Sequence, residues 1–163
     1  MKMQIKRKRQ GKTDYKARKE FLKSGLPRIV IRKTDRYLVA QYTESNEAKD
    51  KVIIAVSSRD LLKHGWPKNK KGSLKSVPAA YLTGKLLGKQ IKDKGKVILD
   101  TGLQRNVAGS RIYAVLKGLI DTGVNIPHNE KAFPSEERIK GKHLNEDIQK
   151  IVKEVENNLL KKD

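Results

Sequence analysis

Two copies of one tripeptide, Asp100-Thr101-Gly102 and Asp121-Thr122-Gly123, are the most reaction-like residues in this chain. A pair of aspartates in such a setting could share a proton and act as a protease dyad. The first copy follows an apolar run, Val97-Ile98-Leu99, as that chemistry requires. The second closes a helix-like stretch, where Gly123 reads as a stop. Asp and Gly are ordinary turn residues, so a strand end and a helix end account for both copies. Gly84-Lys85-Leu86-Leu87-Gly88-Lys89-Gln90 has the outline of a phosphate loop. It is one residue short, lacks the hydroxyl residue after lysine, and sits inside a helix rather than ahead of one. His64, His128 and His143 follow no spacing that suits a metal. With no cysteine, thiolate zinc sites, disulfides and Cys nucleophiles are excluded. No catalytic residue, cofactor or metal is expected.

What remains is charge. Residues 1–36 hold fourteen Lys or Arg against three acids, a net of +11 out of +20 for the chain. A charge this lopsided calls for a polyanion, and nucleic-acid phosphate, whose neutralisation releases counterions, is the commonest one. A solubilising tail or a targeting signal is the alternative. On the first reading Lys6, Arg7, Lys8, Arg9, Lys12, Arg18 and Lys19 neutralise phosphates, on an arm that orders only on RNA. Arg28, Arg32, Lys33 and Arg36 continue that surface onto the folded domain. A basic connector from Leu61 to Pro78, with Arg59 just ahead of it, supplies a second contact through Arg59, Lys63, Lys68, Lys70 and Lys71. Arg105 and Arg111 complete the cationic set. Tyr15, Tyr37 and Trp66 are candidates for stacking on bases. Trp66 could equally be an anchor that pins the connector to the core.

The elements that position these groups fit one domain with extensions. The chain has 163 residues, 36% hydrophobic and 34% charged, with the apolar ones concentrated between Pro27 and Pro127. This divides it into a basic arm (1–26), a globular α/β domain (27–127) and a carboxy-terminal extension (128–163). No apolar run approaches the ~20 residues of a membrane span, and no secretory leader is evident. A cytoplasmic protein is expected.

In the arm, Tyr15 to Ser24 can form a short helix capped by Asp14 or Thr13. Arg28 to Arg32 and Tyr37 to Tyr42 read as an antiparallel hairpin around Thr34-Asp35-Arg36. A polar loop, Thr43 to Asp50, leads to a third strand, Lys51 to Val56, whose unbroken apolar run predicts burial on both faces. Ala79 to Lys92 is a helix ended by Gly95, with Gly84 and Gly88 on one side for close approach to a sheet. Val97 to Leu99 is a fourth strand, and Arg111 to Asp121 a helix capped by Ser110. Asn145 to Leu160 forms a last amphipathic helix. Its segment, Lys142 to Asp163, carries five bases and five acids, so it packs on the domain or a partner rather than on phosphate. The order predicts a three-layer α/β fold: a mixed sheet of about four to five strands with helices on both faces.

Several stretches together resemble a known family. They are Gly11 to Arg18 running into Ser24-Gly25-Leu26-Pro27-Arg28, Pro78-Ala79-Ala80-Tyr81-Leu82-Thr83-Gly84, and Gly109 to Gly118. The most specific is Ile126-Pro127-His128-Asn129-Glu130, followed by Phe133-Pro134 and Glu136 to Gly141. These are similar to the archaeal and eukaryotic type of the universal ribosomal large-subunit protein eighteen. The resemblance implies a ribonuclease-H-like motif and a structural role in the large ribosomal subunit. It implies binding of 5S rRNA and its attachment to the central protuberance, with contacts to large-subunit rRNA and neighbouring central-protuberance proteins. No membrane contact and no homo-oligomer are expected. A nuclease of the ribonuclease H class needs acids around divalent metals, one of them on the first strand, where this chain has Arg28-Ile29-Val30-Ile31-Arg32. The alternative function is a non-specific RNA chaperone or nucleic-acid-compacting protein.

Overall fold

A computed structural model describes residues 5–46, 49–91, 95–144 and 146–161, with side chains described as far as Leu159. Expectations that fall on residues 1–4, on Lys92 and on Asn145 lie outside the described residues. Among these residues six α-helices and four strands follow in order: α1 (Lys6–Arg9), α2 (Tyr15–Ser24), β1 (Arg28–Lys33), β2 (Leu38–Asn46), β3 (Lys49–Ser57), α3 (Val77–Gln90), β4 (Ile98–Asp100), α4 (Arg111–Asp121), α5 (Glu136–Ile139) and α6 (Glu146–Lys161). The connector between β3 and α3 is two short 3-10 segments, Ser58–His64 and Lys68–Lys75.

The sheet order is β3-β2-β1-β4. β1–β2 and β2–β3 are antiparallel, and β4 joins β1 in parallel after the α3 crossover. Strand alternation gives the sheet one dry face, carrying Ile29, Ile31, Leu38, Ala40 and Tyr42. These pack with Leu82, Leu87, Val115 and Leu119 of α3 and α4 in one continuous core. α3 and α4 therefore lie on the same face. Among the described residues no second core helix covers the opposite face; the amino-terminal arm, with α2, stands over it. The expected helices on both faces are thus unequal.

Five further expectations differ from what the structure shows. β3 is an edge strand, not a doubly buried one: Val52 is 47% and Ile53 44% exposed. Thr43–Asn46 and Lys49–Asp50 belong to β2 and β3 rather than to a loop. Gly84 and Gly88 admit a helix, not a sheet. A Cβ at Gly84 would lie 2.1 Å from the Val115 carbonyl oxygen of α4, and one at Gly88 would lie 1.9 Å from Thr122 Oγ1. From the other side, a Cβ at Gly118 would lie 2.2 Å from the Tyr81 carbonyl oxygen. α3 ends with Ile91 as its C-cap, ahead of Gly95. Ser110 holds the N-cap position of α4 but makes no capping hydrogen bond.

The segment after residue 128 shares the core. Ile139, Val152, Val155 and Leu159 are buried in it. α6 is held by Lys85–Glu156, by Lys89 donating to the Leu159 carbonyl, and by Asn158 Nδ2 donating to the His64 carbonyl at 3.0 Å. The last helix, from the charge-neutral tail, thus packs on the domain itself.

Candidate nucleic-acid interface

The amino-terminal arm is built from local signals. Asp14 caps α2 by accepting hydrogen bonds from the Lys16 and Ala17 amides at 2.9 and 3.1 Å. Gly25, at φ 63°, ends the helix in the left-handed conformation that glycine adopts without penalty. Expected to order only on RNA, the arm is folded from α1 onward, and α2 is tied to the sheet.

The tie is a chain of charges across the wet face. Asp50 of β3 accepts from Arg18 of α2 at 2.8 Å and from Arg28 of β1 at 2.7 Å. Ser45 Oγ donates to the same carboxylate at 2.8 Å. Arg28 also reaches Asp100 of β4 at 3.3 Å, and Arg32 meets Asp100 from the other side at 3.3 Å. Burial pushes the Asp50 carboxyl up, but the bonds from Arg18 and Ser45 and the charges of Arg28 and Arg18 outweigh it. The group is held below the usual carboxylate range. The Arg28 guanidinium also lies 5.7 Å from the Phe21 ring of α2, a cation–π contact that reinforces the tie.

This network changes the reading of several residues. Arg28 is 3% exposed and fully engaged, so it organises the fold and offers nothing to phosphate. Arg32 is half-buried and committed to Asp100. Asp100 also accepts from the Gly102 amide at 2.8 Å, which makes Asp100-Thr101-Gly102 a turn. Asp121 accepts from the Tyr81 hydroxyl at 2.8 Å, and pairs with Lys117 at the end of α4. The two aspartates serve separate structural contacts.

Trp66 is 2% exposed, and its indole N–H points inward at Ser73 Oγ (3.2 Å) and the Lys70 carbonyl (3.3 Å). It is the anchor of the connector and presents no face to a base. Lys63 pairs with Asp60 and Lys70 with Asp147, so neither is a free cation. Tyr37 is half-buried with Arg59 stacked 5.1 Å from its ring centroid. Tyr15 and Arg111 are half-buried.

Lys6, Lys8, Arg9, Lys12, Lys19, Lys33, Arg36, Lys68, Lys71 and Arg105 are exposed, and none is in an ion pair with a described residue. Arg7, also exposed, donates to Thr13 Oγ1 at 2.9 Å. The arm gathers the first five and Arg7. Lys75 bonds the Asp35 carbonyl at 2.8 Å, which brings the Lys33–Arg36 turn against the connector that carries Lys68 and Lys71. Sequence reasoning missed Asp50, because nothing local pairs it with an arginine 32 residues earlier.

A cationic surface on an α/β scaffold, with the strand carboxylates Asp50 and Asp100 both bound to arginines, suits a polyanion-binding protein rather than a nuclease. The comparisons narrow the class. The family described as "Ribosomal large subunit proteins 60S L5, and 50S L18" matches residues 1–97 and 90–129. A large ribosomal subunit protein uL18 of Korarchaeum cryptofilum is 41% identical over 155 residues, which span 94% of this chain and 77% of that one. The uL18 protein of Methanoregula boonei is 40% identical over 157 residues, 93% and 88% of the two chains. That of Methanospirillum hungatei is 41% identical over 144 residues, 87% and 80%. The chain belongs to this family of ribosomal large-subunit proteins. It is a structural constituent of the large subunit, working with rRNA and ribosomal proteins, and not an enzyme.

Proposed function

We propose that this protein binds 5S rRNA and fixes it to the central protuberance, touching large-subunit rRNA as well. The observation that carries this is the arm of residues 1–26. From Lys6 to Lys19 its exposed cations lack acidic partners among the described residues, while Arg18 pins α2 to the sheet. A docked arm meets RNA with less ordering cost than a free tail. Lys33 and Arg36, with Lys68 and Lys71, form the second contact, and Arg105 a third. Two contacts on one rigid body can hold two RNA segments in fixed relation. The sheet order β3-β2-β1-β4, antiparallel through β3 and parallel at β4, supports a ribonuclease-H-like reading of the fold.

Competition titration of 5S rRNA against tRNA, repeated at several salt concentrations, tests the proposal. A preference for 5S rRNA that survives moderate salt is expected. Equal binding that collapses with salt would replace this reading with that of a non-specific RNA chaperone.

A further inference from the structure

Between α2 and the wet face of the sheet lies a groove of about 430 Å³. The Arg18–Asp50 bond closes one side of it, and the arm forms its roof. Five cations and three acids line it, Arg7, Lys12, Arg18, Arg28 and Arg32 against Asp14, Asp50 and Asp100. Asp14 is spent on the α2 cap, and Asp50 and Asp100 on arginines. The cations left over are Arg7 and Lys12, which are exposed.

The floor is different. Gln41 and Thr43 of β2 point the same way, flanked by Val30, Val52 and Phe21. Thr43 is 3% exposed, yet its hydroxyl has no hydrogen-bond partner among the described residues; nor does the Gln41 amide. That hydroxyl still reaches solvent, since it is not among the fully buried polar atoms left without a partner, and it is free to turn to a ligand. An amide offers donors and an acceptor in one plane. Charged and polar side chains make up most of the lining, with Val30, Val52 and Leu99 between them, in a recess within the size range of small-ligand sites, about 300–1,000 Å³.

We propose that this groove receives one unpaired nucleobase of the bound RNA, read by Gln41 and Thr43, with Arg7 and Lys12 on the flanking phosphates. Sequence-specific recognition of RNA works on unstacked bases splayed from loops and bulges, held between apolar or aromatic walls and hydrogen-bonded at their edges. A peptide side chain would not explain paired cations at the mouth. The proposal rests on the RNA-binding reading above and adds where a base is recognised.

The test uses Gln41→Leu with Thr43→Val, which keeps shape and removes the polar floor. Val52→Trp is a second variant that fills the groove from an exposed edge position. For 5S rRNA each is expected to weaken binding about tenfold or more with an unchanged salt slope, because no phosphate contact is lost. Thermal unfolding checks that each variant folds. In parallel, a mixed-sequence single-stranded hexanucleotide is titrated into the wild-type protein and followed by amide NMR, against a duplex of equal charge. Shifts at Gln41 and Thr43 with the single strand only are expected, whichever ribosomal or transfer RNA the protein prefers. Unchanged affinity in both folded variants, a loss that comes with a shallower salt slope, or shifts confined to the arm would overturn the groove. A failure to prefer 5S rRNA over tRNA would instead overturn the function proposed above.

Discussion

Replacing Gly84 by alanine should lower stability, against the usual rule. In an open helix that change gains about 1 kcal/mol of helix propensity. Here the new methyl would sit 2.1 Å from the Val115 carbonyl oxygen and 2.9 Å from its carbon, both backbone atoms. To restore a 3.0 Å contact, α3 and α4 would have to part by about 1 Å, and a packed core resists that. Overpacking typically costs about 1–3 kcal/mol, and a clash against rigid backbone belongs at the upper end. Net of propensity, the loss is about 2 kcal/mol. For a chain of this length that lowers Tm by roughly 4–8 °C. Gly118→Ala meets Tyr81 O at 2.2 Å and should behave alike. The double variant should cost less than the two singles together, since one separation relieves both clashes. Gly72, with nothing within 4 Å of its Cβ position, is the control and should stay within about 0.5 kcal/mol. Far-UV circular dichroism melts decide the matter by sign: a Gly84→Ala protein that melts at or above wild type refutes the close crossing.

Deleting residues 1–12 removes the cations of α1 together with Lys12. The slope of log K against log salt should fall by about 0.7–0.9 per lost phosphate contact, so by about four if all five described cations make one. An unchanged slope would mean the arm does not touch phosphate. For Asp50, whose carboxyl is held below its ordinary 3.8, the stabilising effect is full above about pH 3.8 and disappears as pH falls through the lower folded value. Asp50→Asn should therefore speed hydrogen exchange in α2 at neutral pH, and the difference from wild type should close in acid. A difference that does not narrow as the pH is lowered through the acid range would assign the effect to packing. Trp66→Ala should cost about 3–5 kcal/mol in urea unfolding while leaving the salt slope alone. The reverse result, full stability with weakened RNA binding, would restore Trp66 as a stacking platform.

Where a segment carries its own instructions, the sequence was readable. Asp14 and Gly25 bracket α2 because capping and the left-handed turn are local chemistry. The stripe of Val152, Val155 and Leu159 marks the buried side of α6 in the same way. Partners far along the chain were not readable. Gly84 and Gly88 announce a close approach, but not that helix α4 makes it. Lys51-Val52-Ile53-Ile54-Ala55-Val56 has the composition of a central strand, and its place at the edge follows only from the crossover that sends β4 to the other side of β1. Arg28 looks like its exposed basic neighbours in composition. What separates them is the alternation of β1 together with two acids, 22 and 72 residues onward, that close over it. The candidate site was thus visible as charge, while its division into structural and available cations required the fold.

The exposed edge of β3 also bears on the interval between synthesis and assembly. An open strand edge with apolar Val52 and Ile53 is a template on which another chain could add a strand and begin to aggregate. Lys49 and Lys51 lie on that strand, and a net charge of +20 makes every copy repel every other. The cations that suit the protein to RNA therefore also act as gatekeepers against self-pairing. That protection weakens wherever polyanions neutralise the charge without covering the edge. Mixing the protein with heparin or bulk RNA below saturation should accordingly promote turbidity, and a further lysine in place of Ile53 should suppress it.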